Sequence, residues 1–218
     1  MAVLRRFASV TTAFTLSFSL YAAQHRPVPA PRAEAIVDCF GDSITAGHGI
    51  DPAHAYPADL QALLDARGYH YKVVNSGISG NTSKDGVDRL KDVLRLHPAV
   101  VIVEFGGNDG LRGIPIDVTR RNLDTIVGAI LRSGSKVLLA GITLPPNYGA
   151  DYIHQFDETY RLIAAKYRVP LMPQLYAGIY TVPGAIQDDG VHPTAKGAQL
   201  LAEHFLPLLL PLLHKQGN

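Results

Sequence analysis

Cysteine is nearly missing from this chain: Cys39 is the single one in 218 residues. That excludes an intrachain disulfide framework and any zinc site built on several thiolates. Charge is sparse and balanced, with 20 Lys and Arg against 19 Asp and Glu. Without an excess of basic residues there is no case for a dedicated nucleic-acid face. At 47% apolar and 18% charged residues, the chain is also too apolar to stay disordered. It contains no His-Glu-x-x-His, no Walker loop and no Gly-x-Gly-x-x-Gly. Zinc-peptidase, nucleotide-hydrolase and dinucleotide-binding readings fall away with them. Gly-x-Ser-x-Gly is missing too, so the α/β-hydrolase nucleophile elbow is not available.

What is present begins with a targeting segment. Residues 1–23 read as a secretory signal peptide, with Arg5 and Arg6 ahead of a weakly apolar run and Ala22-Ala23 as a cleavage point. Ala33-Glu34-Ala35 offers a second cleavage point. The alternative is an uncleaved anchor helix, but six Ser and Thr between Ser9 and Ser19 dilute the run. No cysteine follows for lipoprotein anchoring. Residues 24–35, with Pro27, Pro29 and Pro31, read as a linker. Residues 36–218 then form one domain of ordinary size. They keep 16 basic and 18 acidic side chains, so the slight positive charge belonged to the leader. Neither nucleic acid nor an anionic membrane is an expected partner. Leu206–Leu213 is apolar but too short to span a bilayer, and is expected to pack on the sheet.

Within the domain, short apolar runs alternate with amphipathic stretches. Strands are expected at 36–40, 71–74, 100–105, 136–142 and 171–172. Helices are expected at 56–67, 83–96, 117–133, 150–167 and 194–206, the last disturbed by Pro207 and Pro211. This βαβ rhythm implies an α/β fold, a parallel sheet sandwiched by helices. Five strands are too few for an eight-fold barrel. Open parallel sheets place their chemistry beyond the carboxyl ends of the strands.

Four sequence blocks stand at those ends. Gly41-Asp42-Ser43 follows strand one, and presents a serine on a tight turn. Asn75 to Thr82 follows strand two; its Gly80 lets a backbone N–H approach a ligand. Gly107-Asn108-Asp109-Gly110 follows strand three, where the Asn108 amide can donate to an oxyanion. Asp189-Gly190-Val191-His192 lies near the end, spaced so that a carboxylate can orient an imidazole. Each block alone also reads as a turn or helix cap. Together they fill every role of nucleophilic acyl transfer once.

These blocks resemble those of the SGNH (GDSL-type) hydrolase superfamily, in order and over nearly all of 36–206. The stretches 75–83, 104–113, 144–149 and 187–193 are most like the subfamily of acyl-CoA thioesterase I, lysophospholipase L1 and arylesterase. The resemblance implies a flavodoxin-like three-layer α/β/α sandwich with a five-stranded parallel sheet. It implies Ser43 as nucleophile, His192 as base and Asp189 as its partner. The oxyanion hole would be Ser43 N–H, Gly80 N–H and the Asn108 side chain. No cofactor and no metal are implied, and a monomer in the periplasm or secreted is expected. Two departures stand out: the Pro-rich linker, and Gly77 where many relatives have Ser or Ala, which would loosen the loop carrying Gly80.

The expected activity is hydrolysis of carboxylic esters and thioesters of short to medium acyl chains, small molecules with a loosely held leaving group. Leu111, Ile114, Pro146, Tyr148 and Tyr180 are groove candidates. The alternatives are a carbohydrate O-deacetylase or acyltransferase at the same site, and a non-catalytic lipid- or glycan-binding relative. Cys39 is expected to be a buried, inert thiol. His48 and His54 lie downstream of Ser43, where they could line the site, and are assigned to surface loops instead.

Overall fold

Residues 34–215 are described by the computed structural model. The expected signal peptide and most of the expected linker lie outside the described residues. Five strands, β1 (Ala35–Gly41), β2 (Tyr71–Asn75), β3 (Val100–Glu104), β4 (Lys136–Ala140) and β5 (Leu171–Met172), form one sheet. Their order is β2-β1-β3-β4-β5 and every pairing is parallel. That is the flavodoxin-like order, and its direction reverses between β1 and β3.

Strand alternation divides the core in two. Val37, Cys39, Val100, Ile102 and Leu138 face one side, where they meet helices α2 (Tyr56–Asp65) and α7 (Ala195–Leu209). Phe40, Val101, Val103, Val137 and Leu139 face the other, toward α3 (Ser83–Leu94), α5 (Ile116–Arg132) and α6 (Ala150–Tyr167). With helices on both faces, β3 can be apolar from Val100 to Val103. Each large side chain sealed in this way contributes about 1.5–3 kcal/mol.

The expected elements are found, with shifts of a residue or two at most ends. Two differ for physical reasons. Helix α7 runs through Pro207 to Leu209 instead of stopping at 206. Pro207 and Glu203 both lie on the exposed face, where water can serve the carbonyl that proline leaves without a partner. The block after β3, read as a turn, contains a short helix, α4 (Gly107–Leu111). Leu206, Leu209 and Leu213 pack into the first core, as expected for that run. Among the described residues no helix is long and apolar enough to cross a membrane.

Candidate active site

The site lies at the β1/β3 reversal. β1 ends at Gly41, and Asp42 caps the single-turn helix α1 (Ser43–Ala46) by accepting from Ile44 N–H at 3.0 Å. Gly47, at φ 77°, closes that turn in the left-handed region. Ser43 is therefore the first residue of a turn held at both ends. Its Oγ lies 2.9 Å from His192 Nε2. His192 Nδ1 lies 2.7 Å from Asp189 Oδ2. An Nδ1–H donated to the carboxylate leaves Nε2 free to accept from the Ser43 hydroxyl.

The loop carrying the histidine is built by the same aspartate. An antiparallel bridge between Ile186 and Pro193 closes its base. Asp189 Oδ1 accepts from Val191 N–H at 2.9 Å and His192 N–H at 3.0 Å. One carboxylate thus folds the loop with one oxygen and orients the imidazole with the other. The His192 side chain, then these two N–H groups, draw the Asp189 carboxyl down to about 2.

Gly80 and Asn108 approach from the neighbouring strand ends. Gly80 adopts φ 81° and is exposed; its carbonyl accepts from Arg112 at 2.9 Å. The Asn108 amide donates to Asp42 Oδ2 at 3.1 Å and to Asn81 O at 3.0 Å. Asn108 therefore spans the nucleophile turn and the Gly80 loop. Asp109 beside it is buried; it accepts from Ser83 N–H at 2.8 Å, from the Ser83 hydroxyl and from Thr119 at 3.1 Å. Those bonds tie α4 to α3 and α5. Gly77 packs so tightly on α1 that an added methyl would overlap the Ala46 backbone nitrogen. It permits close approach, and the expectation that it loosens the loop is corrected.

Four further residues stand at the site, and three of them, Glu104, Arg89 and Gln187, were not revealed by the sequence as site residues. Glu104 ends β3 under the nucleophile turn, accepting from Asp42 N–H at 3.2 Å and Thr45 Oγ1 at 2.8 Å. Burial first, and then the Asp42 charge, push its carboxyl well above the usual range. The only signal was an acidic residue closing an otherwise apolar strand. Arg89 on α3 donates to Gly41 O at 2.6 Å, Ser76 O at 2.7 Å and Asn81 Oδ1 at 2.7 Å, and its guanidinium lies over the Phe40 ring. Gln187 donates from one nitrogen to His48 O and Pro193 O, both at 2.8 Å, joining the serine and histidine loops. His48 is exposed, as assigned, yet its ring centroid stands 4.5 Å from that of His192. His54 is a surface residue, and Cys39 is buried in the first core, where desolvation raises its thiol out of reactive range.

A cavity of about 360 Å³ opens beside these loops. Leu144, Pro145, Pro146, Leu175, Tyr176 and Tyr180 give it an apolar wall, and Gly190 borders it next to Asp189. Pro146 and Tyr180 are among the groove candidates; Leu111, Ile114 and Tyr148 are not in its lining. Tyr148 instead donates to Leu111 O at 3.0 Å, and Tyr152 to Ile114 O at 3.3 Å, bracing the segment after α4. Among the described residues no three His, Cys, Asp or Glu side chains converge to hold a metal ion.

A parallel flavodoxin-like sheet with a Ser–His–Asp relay at its reversal point is the arrangement of a serine acyl hydrolase. Comparison with known proteins agrees. Residues 39–200 match the GDSL-like Lipase/Acylhydrolase family. Esterase TesA of Pseudomonas aeruginosa is 44% identical over 174 residues, covering 79% of this chain and 87% of that protein. Thioesterase 1/protease 1/lysophospholipase L1 of Escherichia coli K12 is 37% identical over 176 residues, covering 80% and 83%. The crystal structure of TesA superposes with a TM-score of 0.78 at 42% identity, covering 82% of this chain and 99% of that one. The chain belongs to the GDSL-like lipase/acylhydrolase family. It is a carboxylic ester hydrolase, as the sequence led one to expect.

Proposed function

We propose that this hydrolase works through an acyl-Ser43 intermediate on esters and thioesters of short to medium acyl chains. His192 Nε2 takes the Ser43 proton as Oγ attacks the carbonyl carbon. Asp189 steadies the imidazolium that forms. The Ser43 and Gly80 N–H groups and the Asn108 amide receive the oxyanion. His192 then returns the proton to the departing alkoxide or thiolate. A water, deprotonated by His192, attacks the acyl carbonyl and releases the acid.

The observation that carries this reading is the Ser43–His192–Asp189 relay, with hydrogen bonds of 2.9 and 2.7 Å. The apolar cavity supports an acyl chain longer than acetyl, since about 360 Å³ far exceeds what one methyl group fills. Thioester hydrolysis is proposed from the similarity to thioesterase 1 of Escherichia coli. The Arg5-Arg6 leader and the apolar run behind it support export from the cytoplasm.

Initial rates on p-nitrophenyl esters from acetate to palmitate test it, with S43A as control. Activity that peaks at medium chains and is lost in S43A is expected. Cleavage of acetate alone would replace it with the O-deacetylase reading. Equal rates for S43A and wild type would remove Ser43 from the mechanism.

A further inference from the structure

Beneath the nucleophile turn lie two buried carboxyl groups that acyl transfer does not itself require. Asp42 and Glu104 are each only 1% exposed. The Asp42 backbone N–H donates to Glu104 Oε2 at 3.2 Å, which makes the two acidic residues direct neighbours. Glu104 Oε2 already accepts from Asp42 N–H and Thr45 Oγ1, while Oε1 is buried and finds no donor among the described residues. Among the described residues no Lys or Arg forms a salt bridge with either carboxyl. The Arg89 fork is occupied by Gly41 O, Ser76 O and Asn81. The other polar groups facing the pair are Thr45 from α1, with Tyr56 of α2 behind it at 3.2 Å, and Asn108 from α4. Two carboxylates sealed together cannot both ionise, and a buried oxygen without a donor is costly. One proton between them resolves both problems.

We propose that Glu104 is a positioning residue: its carboxyl proton is donated to Asp42, and this fixed Asp42 holds the Asn108 amide in register with Ser43. Both Asp42 oxygens already accept, from Ile44 N–H and Asn108, whereas Glu104 Oε1 has no donor among the described residues, and this places the proton on Glu104. Asp42 then carries the single charge, taking Ile44 N–H on one oxygen and Asn108 on the other. When the oxyanion forms, Asn108 keeps its Asp42 bond and exchanges the one to Asn81 O. This inference rests on the reading of Asn108 as an oxyanion donor.

Kinetics on a p-nitrophenyl ester and infrared spectroscopy test it together. Gln at 104 can accept from Asp42 N–H and donate to the Asp42 carboxylate. E104Q is therefore expected to stay within about threefold of wild-type kcat, whereas E104A loses about 10²-fold in kcat with KM little changed. Because E104A acts through Asn108, the E104A/N108A pair should be no slower than N108A alone. At neutral pH the wild-type protein should show a protonated carboxyl C=O band that E104Q lacks. That measurement holds even if E104A fails to fold.

An E104Q as slow as E104A, a fully active folded E104A, additive losses in the double variant, or no protonated-carboxyl band would each overturn the proposal. N108A at the wild-type kcat would instead overturn the oxyanion reading, whatever the infrared band does.

Discussion

A serine hydroxyl is a weak nucleophile at neutral pH, and what distinguishes Ser43 from other serines is its neighbours. It heads a helical turn capped by Asp42 and faces His192 Nε2 at 2.9 Å. S43A removes the attacking atom and no structural bond beyond this one. It should abolish turnover while leaving the thermal midpoint within a few degrees, as read by circular dichroism. In its proposed role as an oxyanion donor Asn108 stabilises the transition state more than the bound substrate, so N108A should lower kcat by about 10²–10³-fold with little effect on KM. A change in KM alone would make Asn108 a substrate-binding residue. The Asp189 carboxyl lies near 2, below its ordinary 3.8. A lowered carboxyl stays charged until pH falls through that value. Asp189 should therefore stay ionised through mild acidification and contribute no proton to the acid limb of the kcat/KM profile. A two-proton acid limb in the kcat/KM profile would contradict this.

At the scale of elements, loops from three strand ends must be held in register, and long-range side chains do this. Arg89 binds carbonyls or amides from the β1 turn and from both ends of the β2 loop. R89A should cost about 10–100-fold in kcat and several degrees in thermal midpoint. R89K, which keeps charge without the fork, should recover little of either. G77A should destabilise, because α1 leaves no room for a methyl group. The candidate nucleophile, base and donors were legible in the sequence because each sits in a local pattern of glycine and polar residues, after β1, β2 or β3 or, for His192, just ahead of α7. Glu104, Arg89 and Gln187 were not. They act on partners 62, 48 and 139 residues away, and no local pattern encodes such contacts. Helix α4 was read as a turn because Gly-Asn-Asp-Gly has turn chemistry. The bonds of buried Asp109 to Ser83 and Thr119 override that preference.

For the molecule as a whole, alternating apolar strands and amphipathic helices were enough to indicate the layered sheet, since burial on both faces sets that pattern. Asp38 is a further buried carboxyl, away from the nucleophile turn. It lies on β1, is fully buried, accepts from Ser76 Oγ at 2.6 Å and keeps one oxygen without a donor among the described residues. Burial raises its carboxyl from 3.8 to about 6, against the opposing pull of Ser76 and Arg89. A raised carboxyl favours the fold at low pH, and that contribution is lost as pH climbs through about 6. Unfolding free energy should carry a falling component of about 2–3 kcal/mol between pH 4 and 7 from this group. D38N should remove that component in urea titrations at the two pH values. An unchanged pH dependence would show that Asp38 is ionised throughout.

The most direct measurement for the whole mechanism is to trap the enzyme with a fluorophosphonate and map the adduct by mass spectrometry. A single adduct on the peptide containing Ser43, formed in step with loss of esterase activity and missing in H192A, is the expected result. An adduct on another residue, or full activity after complete labelling of Ser43, would contradict nucleophilic catalysis at this site.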